Sequence, residues 1–105
     1  MSQSFAIIYA PIVKEHLRII KPKYYSLIRN RIKTMLSFDP DVEAVNRKPL
    51  KWPIMFGGEW EVRFGPDNRF RVYYRIDHEA HEVHILAIGF KIRNRLFIGD
   101  REVEL

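Results

Sequence analysis

The sequence predicts an α+β fold in which two N-terminal helices pack on one face of a small antiparallel sheet, in the order β-α-α-β-β-β. Apolar and polar residues alternate in two successive runs, residues 60–64 and 70–76, which is the period of half-buried strands. Two earlier stretches, residues 11–20 and 22–36, repeat apolar residues every three or four positions, as amphipathic helices do. Both helices need an apolar surface and the sheet offers one, so a two-layer arrangement follows.

The N-terminal third supplies the first strand and both helices. Residues 5–9 are strand-forming, and Pro11 then suits the first position of a short helix. Pro22 opens a longer helix in the same way, and Asp39 ends it because a residue that precedes proline avoids the helical conformation. The apolar positions of the two helices are Val13, Leu17, Ile20, Tyr25, Ile28, Ile32, Met35 and Leu36.

Residues 39–58 show no sustained period. A loop of this length in a small domain is usually functional or contains short structure of its own. We expect its aromatic residues Trp52 and Phe56 in the core or at an interface rather than as platforms for RNA bases.

Residues 60–88 predict a three-stranded antiparallel meander. Residues 65–68 (Gly-Pro-Asp-Asn) form the first turn and the polar residues 77–80 the second. The last strand, residues 81–88, is expected to end at Gly89. The face toward the helices would hold Trp60, Val62, Phe64, Phe70, Val72, Tyr74 and Ile76. The opposite face is expected to be open and to present Arg63, Arg71 and Arg75 beside Tyr73.

Residues 90–97 alternate again after Gly89. If this segment is extended, Lys91, Arg93 and Arg95 lie on one side of it, because side chains two residues apart share a face. The segment would then add a row of cations to the sheet.

Length, charge and cysteine content limit the classes of protein to which this chain can belong. The chain has 105 residues, a formal net charge of +5 and no cysteine, so we expect one domain, residues 1–105, without disulfides or thiolate metal sites. A basic charge is typical of proteins that meet nucleic acid or an acidic partner. No apolar run approaches the ~20 residues of a membrane span, and the first residues lack a signal-peptide pattern. We therefore expect a cytoplasmic protein that does not contact a membrane.

These elements resemble those of the RelE/ParE superfamily of bacterial toxin–antitoxin systems. The resemblance covers nearly the whole chain. It rests on residues 9–11 (Tyr-Ala-Pro) before the first helix and on residues 48–50 (Lys-Pro-Leu) before the second strand. It is strongest in residues 60–65 (Trp-Glu-Val-Arg-Phe-Gly), 70–76 (Phe-Arg-Val-Tyr-Tyr-Arg-Ile) and 86–91 (Leu-Ala-Ile-Gly-Phe-Lys).

The resemblance implies a function and partners. RelE-like relatives cut messenger RNA in the ribosomal decoding site without a metal, whereas ParE-like relatives poison DNA gyrase. A cognate antitoxin neutralises both. The RelE-like branch is favoured here, which makes the expected partners the antitoxin, the ribosome and mRNA. The alternatives are a gyrase-binding toxin and an inactive member that only binds its antitoxin.

The resemblance also suggests site residues. Arg63, Arg71 and Lys91 match catalytic or phosphate-binding cations, and arginine's planar fork suits phosphate oxygens. Two positions depart from the pattern. Glu61 lies where some RNA-cutting relatives are basic, and it is either a general base or the partner in an intramolecular ion pair. Phe97 lies where some relatives have a tyrosine, so a hydroxyl is missing.

The remaining site hypotheses concern RNA contacts and metals. RNA-binding residues would be Tyr73, Arg75, Arg93 and Arg95, with the Tyr73 ring stacking on a base. The bland alternative is a solvated sheet face whose arginines only maintain solubility. No cofactor and no metal is expected, because His81 and His84 are three residues apart on a strand and point to opposite faces.

Overall fold

A computed structural model describes residues 4–51 and 57–103 of the chain. Trp52 and Phe56, expected in the core or at an interface, lie outside the described residues. The elements are β1 (Ala6–Tyr9), α1 (Val13–Leu17), α2 (Tyr25–Leu36), β2 (Arg47–Pro49), β3 (Trp60–Phe64), β4 (Phe70–Asp77), β5 (Glu82–Ile92), β6 (Arg95–Ile98) and β7 (Arg101–Val103). A 3₁₀ turn at Pro22–Tyr24 leads into α2, and a second one, Pro66–Asn68, joins β3 to β4.

The described strands form one sheet in the order β2-β3-β4-β5-β6-β7, and all these neighbours are antiparallel. β1 adds a parallel pair along the first part of β5, from Ala6 beside Glu82 to Tyr9 beside Ile85. β6 pairs with the last part of the same strand. The α+β class with two helices and a small antiparallel sheet is therefore confirmed. None of the described helices is both long enough and apolar enough to span a bilayer.

The prediction that Gly89 ends the last strand of the meander is wrong. β5 continues through Gly89 to Ile92 and turns at Arg93 and Asn94 into β6. Glycine is required at position 89 because a Cβ there would lie 2.9 Å from the carbonyl oxygen of Phe97. The glycine thus marks a close approach of two strands, which is the other common reason for glycine within a strand.

The described part of the long loop, residues 39–51 and 57–58, contains the short strand β2 and is fixed to the end of α2. The Arg47 guanidinium donates to the carbonyl oxygens of Met35 and Val42, both at 2.6 Å. Met35 lies in the last turn of α2, where carbonyls lack intrahelical donors, so Arg47 satisfies one of them. The Tyr74 hydroxyl donates to the Pro40 carbonyl at 2.7 Å and attaches the same loop to the sheet.

The main core lies between the helices and the sheet, as predicted. Its buried residues are Val13, Ile20, Ile28, Ile32, Leu36, Val62, Phe64, Phe70, Val72, Tyr74, Val83, Ile85 and Ile88. Leu17, Met35, Trp60 and Ile76 pack against this core while partly buried. Alternation in β3 and β4 and helical spacing in α1 and α2 therefore identify the inward-facing side chains correctly.

A register shift interrupts the pairing of β4 with β5. Tyr73 lies opposite Ala87, whereas Tyr74 lies opposite Ile85, so Leu86 is an extra residue in β5. Beyond this bulge the Ile88 N–H donates to Nδ1 of His16 at 3.2 Å. His16 is buried on the apolar side of α1, and its imidazole must be unprotonated at Nδ1 to accept this bond.

We expect Ile32→Ala to reduce the free energy of unfolding by about 2–5 kcal/mol. Ile32 is fully buried between α2 and the sheet, and truncation both removes apolar contacts and leaves a cavity. Urea unfolding followed by circular dichroism measures the loss. Thr34→Ala on the exposed side of the same helix is the control, and equal effects in the two variants would contradict the position of α2.

Stability should also depend on pH through His16. Burial lowers its pKa from the ordinary 6.5, opposed in part by the nearby Glu15 carboxylate. The unfolded chain then binds more protons than the folded one between the two pKa values. The contribution of His16 is thus complete above about pH 6.5 and is lost as the pH falls through the lowered folded pKa.

Unfolding free energies measured between about pH 7.5 and pH 5 should therefore decline with acidification. His16→Gln, whose amide oxygen can still accept the Ile88 N–H, should flatten this decline. His78→Gln, at an exposed position, should retain it. A slope unchanged in His16→Gln would show that another group is responsible.

Candidate functional site

Four polar side chains lie together on the sheet face that points away from the helices. Glu61 is the cross-strand neighbour of Tyr73, and Arg63 is the cross-strand neighbour of Arg71. Residues directly opposite on an antiparallel pair share a face, as do residues two apart on one strand. β3 and β4 therefore place Glu61, Arg63, Arg71 and Tyr73 next to one another in one patch, which we call the Glu61 network.

The carboxylate of Glu61 is the centre of this network. The Arg63 Nε donates to its Oε1 at 2.7 Å, and the Arg71 Nη1 lies 3.8 Å from the same oxygen. Its side chain also forms a hydrogen bond with that of Tyr73. The interpretation of Glu61 as an ion-pair partner is confirmed, and the pair extends to a second arginine and a tyrosine.

The expectation of an open face is wrong for Arg71 and Tyr73. Arg71 is 6% exposed, Glu61 6% and Tyr73 4%. Tyr73 belongs to a second apolar cluster with Ala87, Leu96 and Ile98, against which Leu50 and Val103 pack. Alternation along a strand shows which side chains share a face. Tyr73 is buried by side chains of β6, β7 and the segment after β2, and alternation along β4 does not indicate where those segments lie.

Burial changes what Tyr73 can do. Desolvation, followed by the charge of Glu61 and the hydrogen bond with it, raises the pKa of Tyr73 far above its usual value. The hydroxyl therefore keeps its proton and donates to the carboxylate. Tyr73 as a whole residue is 4% exposed, so its ring does not offer a face on which an RNA base could stack in this conformation.

Arg71 and Lys91 line one cavity of about 780 Å³ at the end of the sheet where the β3–β4 and β5–β6 hairpins turn. Basic residues dominate the charged part of its lining. The charged residues are Lys21, Asp67, Arg69, Arg71, Lys91 and Arg93. Five basic residues against one acidic residue make this cavity a site of positive potential. The structure thus groups the three predicted catalytic cations in two overlapping pairs, Arg63 with Arg71 through Glu61, and Arg71 with Lys91 at the cavity.

The predicted RNA-binding arginines do not form one row. Arg93 lies in the β5–β6 turn with a φ of 56°. Arg95 is the cross-strand partner of Ile92, whereas Lys91 is the cross-strand partner of Leu96. Lys91 and Arg95 therefore lie on opposite faces, so the expectation that Lys91, Arg93 and Arg95 share a side is wrong. Arg95 is engaged by Glu102 at 2.7 Å, whereas Arg75 is exposed on β4.

Phe97 lies on the helix-facing side of β6. It pairs with Phe90, and the two rings stack at 5.5 Å. The Arg95 guanidinium covers the Phe97 ring at 5.2 Å. Because the Lys91 side chain projects from the other face, a hydroxyl added to Phe97 would not point toward it.

Sequence reasoning missed two groups of polar residues. Lys21 and Arg69 line the cavity although they lie in connecting segments, where no period signals them. Asp77, Glu82 and His84 bring three possible metal-ligand atoms within 4.8 Å of one another. The available signal was composition, because six of the eight residues from 77 to 84 are histidine, aspartate or glutamate.

Comparisons with known proteins bear on the fold. No protein-family model matches the chain, and no curated protein matches it. A chain in the crystal structure of the toxin–antitoxin complex RelBE2 from Mycobacterium tuberculosis is similar, with a TM-score of 0.68 and 22% sequence identity. The match covers 85% of this chain and 93% of that one. The chain therefore has a RelE-like fold, which confirms the fold implied by the resemblance to the RelE/ParE superfamily.

We expect Glu61→Ala to cost roughly 3–5 kcal/mol of unfolding free energy, because it leaves the buried Arg71 guanidinium without its counter-charge. Denaturant unfolding measures the loss. Glu102→Ala, which removes the partner of Arg95 in an exposed pair, should change little. Equal and small effects in the two variants would show that the Glu61 network does not support the fold.

Proposed function

We propose that this chain is the toxin of a toxin–antitoxin pair and that it inhibits translation by cutting mRNA on the ribosome. The observation that supports this is the grouping of Arg63, Arg71 and Lys91 around one carboxylate and one cationic cavity. The similar solved chain comes from a toxin–antitoxin complex. The proposal places the protein in the cytoplasm with an antitoxin, the ribosome and mRNA as partners.

The chemistry requires cations that are fixed before the substrate arrives. In RNA cleavage the 2′-oxygen bonds to phosphorus as the bond to the 5′ oxygen breaks, which leaves a 2′,3′-cyclic phosphate and a 5′-hydroxyl that takes its proton from solvent. Negative charge builds on the pentacovalent phosphate, and donors that are already oriented stabilise that charge without reorganising. Arg71 is buried and lies beside Glu61, so its guanidinium has a restricted position. Arg63 is hydrogen-bonded to Glu61 but is one-third exposed and can turn. Two guanidinium groups against one carboxylate leave an excess positive charge for a phosphate.

The cavity beside Arg71 has the size and charge for a nucleotide segment. Its volume of about 780 Å³ is within the range of ligand sites, roughly 300–1,000 Å³. Lys21, Arg69 and Arg93 on its rim would hold the flanking phosphates. We assign Lys91 to the scissile phosphate together with Arg71.

Glu61 is the proposed general base. Its carboxylate contacts the two arginines, and in this proposal the 2′-OH of the nucleotide that they hold approaches it. Arg63, whose side chain is 33% exposed, can turn toward a phosphate and leave Oε1 to accept the proton. The protonated Tyr73 hydroxyl stays with the carboxylate and holds its orientation.

The burial of Arg71 favours a second candidate function. A guanidinium that is 6% exposed and paired with Glu61 also suits a purely structural role in the sheet. The protein would then act without RNA cleavage, either by binding DNA gyrase in the manner of ParE-like toxins or by binding only an antitoxin.

Lys91→Ala should reduce mRNA cleavage on programmed ribosomes by roughly 10²–10³-fold, the effect of losing one oriented donor in comparable sites. Lys91 is the sharper test because it is half-buried, whereas removing the buried Arg71 also threatens the fold. Arg31→Ala on the exposed side of α2 is the control and should cleave normally.

Full activity in Lys91→Ala would remove it from the site. Growth arrest by the wild-type protein without any RNA cleavage would instead support the gyrase-binding toxin.

The antitoxin should bind through charge as well as apolar contacts. We propose that an acidic segment covers Arg63, the cavity and Lys91, and that it orders on binding. Affinity should then fall as salt rises, because exposed charges are screened over about 10 Å at 0.1 M. Calorimetric titration of the toxin with the antitoxin peptide at several salt concentrations measures this, and a salt-independent affinity would contradict the location.

A further inference from the structure

The hairpin between β4 and β5 brings three metal-ligating side chains together at the far end of the sheet from the hairpin turns of the cavity. Asp77 and Glu82 are cross-strand partners, and His84 is two residues beyond Glu82 on the same strand. All three therefore share the face that points away from the helices. All three are half-buried, and one possible ligand atom from each lies within 4.8 Å of the others.

We propose that Asp77, Glu82 and His84 bind a divalent transition cation of the zinc class. Two carboxylates and one imidazole form a ligand set that such metals accept while keeping positions open for water. Ligands of a tetrahedral zinc ion at about 2.1 Å lie about 3.4 Å apart. His84 Nε2 and Glu82 Oε1 are 3.0 Å apart in a hydrogen bond, which a bound ion would replace with two metal–ligand bonds.

The supporting contacts orient the ligands. Oδ1 of Asp77 accepts the N–H of Ala80 at 3.0 Å, which fixes this carboxylate and leaves its second oxygen for an ion. Outer hydrogen bonds of this kind orient metal ligands in known sites. The backbone pairing of β4 with β5 holds the other two residues on adjacent positions of one face.

The charge balance also favours a dication. The two carboxylates carry two negative charges when ionised, so a divalent ion would balance them. Arg75, the cross-strand partner of His84 on the same face, is exposed and is the competing cation. On the other side β1 places Ala6 beside Glu82 and Ile8 beside His84, and neither side chain carries a charge.

The two other histidines of the hairpin lie elsewhere. The centroid of the Phe5 ring lies 6.3 Å from that of the His78 ring and 5.0 Å from that of the His81 ring. His84 instead contacts Glu82. His81 and His84 therefore have different neighbours. His81 lies in the turn before β5 with a φ of 53° rather than on the strand, contrary to the prediction from its spacing to His84. The pair His78 and His81 thus supplies a matched control within the same eight residues.

Zinc binding to the untagged full chain, measured by competition with a chromophoric chelator, tests the proposal. One equivalent should bind, and His84→Gln and Asp77→Asn should each weaken binding by about tenfold or more. The double variant His78→Gln/His81→Gln should bind as the wild type does. Absence of binding at millimolar zinc, or weakening by the double variant alone, would overturn the site.

A measurement on the wild-type chain keeps the test independent of variant folding. Cobalt(II), added to the protein, should broaden the ring-proton resonances of His84 most, those of His78 and His81 less and those of His16 least, because paramagnetic broadening falls steeply with distance. Broadening centred on His78 or His81 would place the ion elsewhere and refute the proposal.

Discussion

The register shift between β4 and β5 determines both faces of the sheet. With strict alternation from Ile85, the side chains of residues 87, 89 and 91 would point toward the helices and would bring Lys91 into the core. The extra residue Leu86 reverses this, so Ile88 and Phe90 face the helices and Lys91 projects on the side of Arg71. A bulge that redirects side chains in this way is a common feature beside functional sites. It also places the Ile88 N–H where His16 accepts it, which couples α1 to the same irregularity.

The two faces of the sheet are stabilised by different kinds of interaction. The helix side is a continuous apolar core, whereas the other side combines a small apolar cluster with the Glu61 network. Buried charges are costly unless they are paired and hydrogen-bonded, and the described residues contain no buried polar side-chain atom without a partner. Because Glu61 is shared by Arg63, Arg71 and Tyr73, the network is coupled, and its members should not contribute additively to stability.

The sequence predicts most of the fold because its strongest signals are local. Periods of two in β3 and β4, helical spacing in α2 and the turn residues between strands each identify an element without knowledge of its neighbours. The burial of the sheet face that points away from the helices depends on the positions of β6, β7 and Leu50. The alternation of residues along β4 carries no information about those positions. For the same reason Arg63, Arg71 and Lys91 could be proposed as site residues from the resemblance, whereas the burial of Arg71 and the separation of Lys91 from Arg95 could not be predicted.

A fixed cation and an available cation are opposing requirements, and the proposed site meets them with different residues. Arg71 is held by burial and by Glu61, which gives it a defined position but reduces its free charge. Arg63 is tied to the same carboxylate yet its side chain is one-third exposed, so an arriving phosphate can compete for it. Lys91, half-buried on the cavity wall, adds charge from outside the network. In the proposed function the positive potential therefore remains open to a phosphate, although the hydrogen bond from Arg63 to Glu61 is already made within the protein.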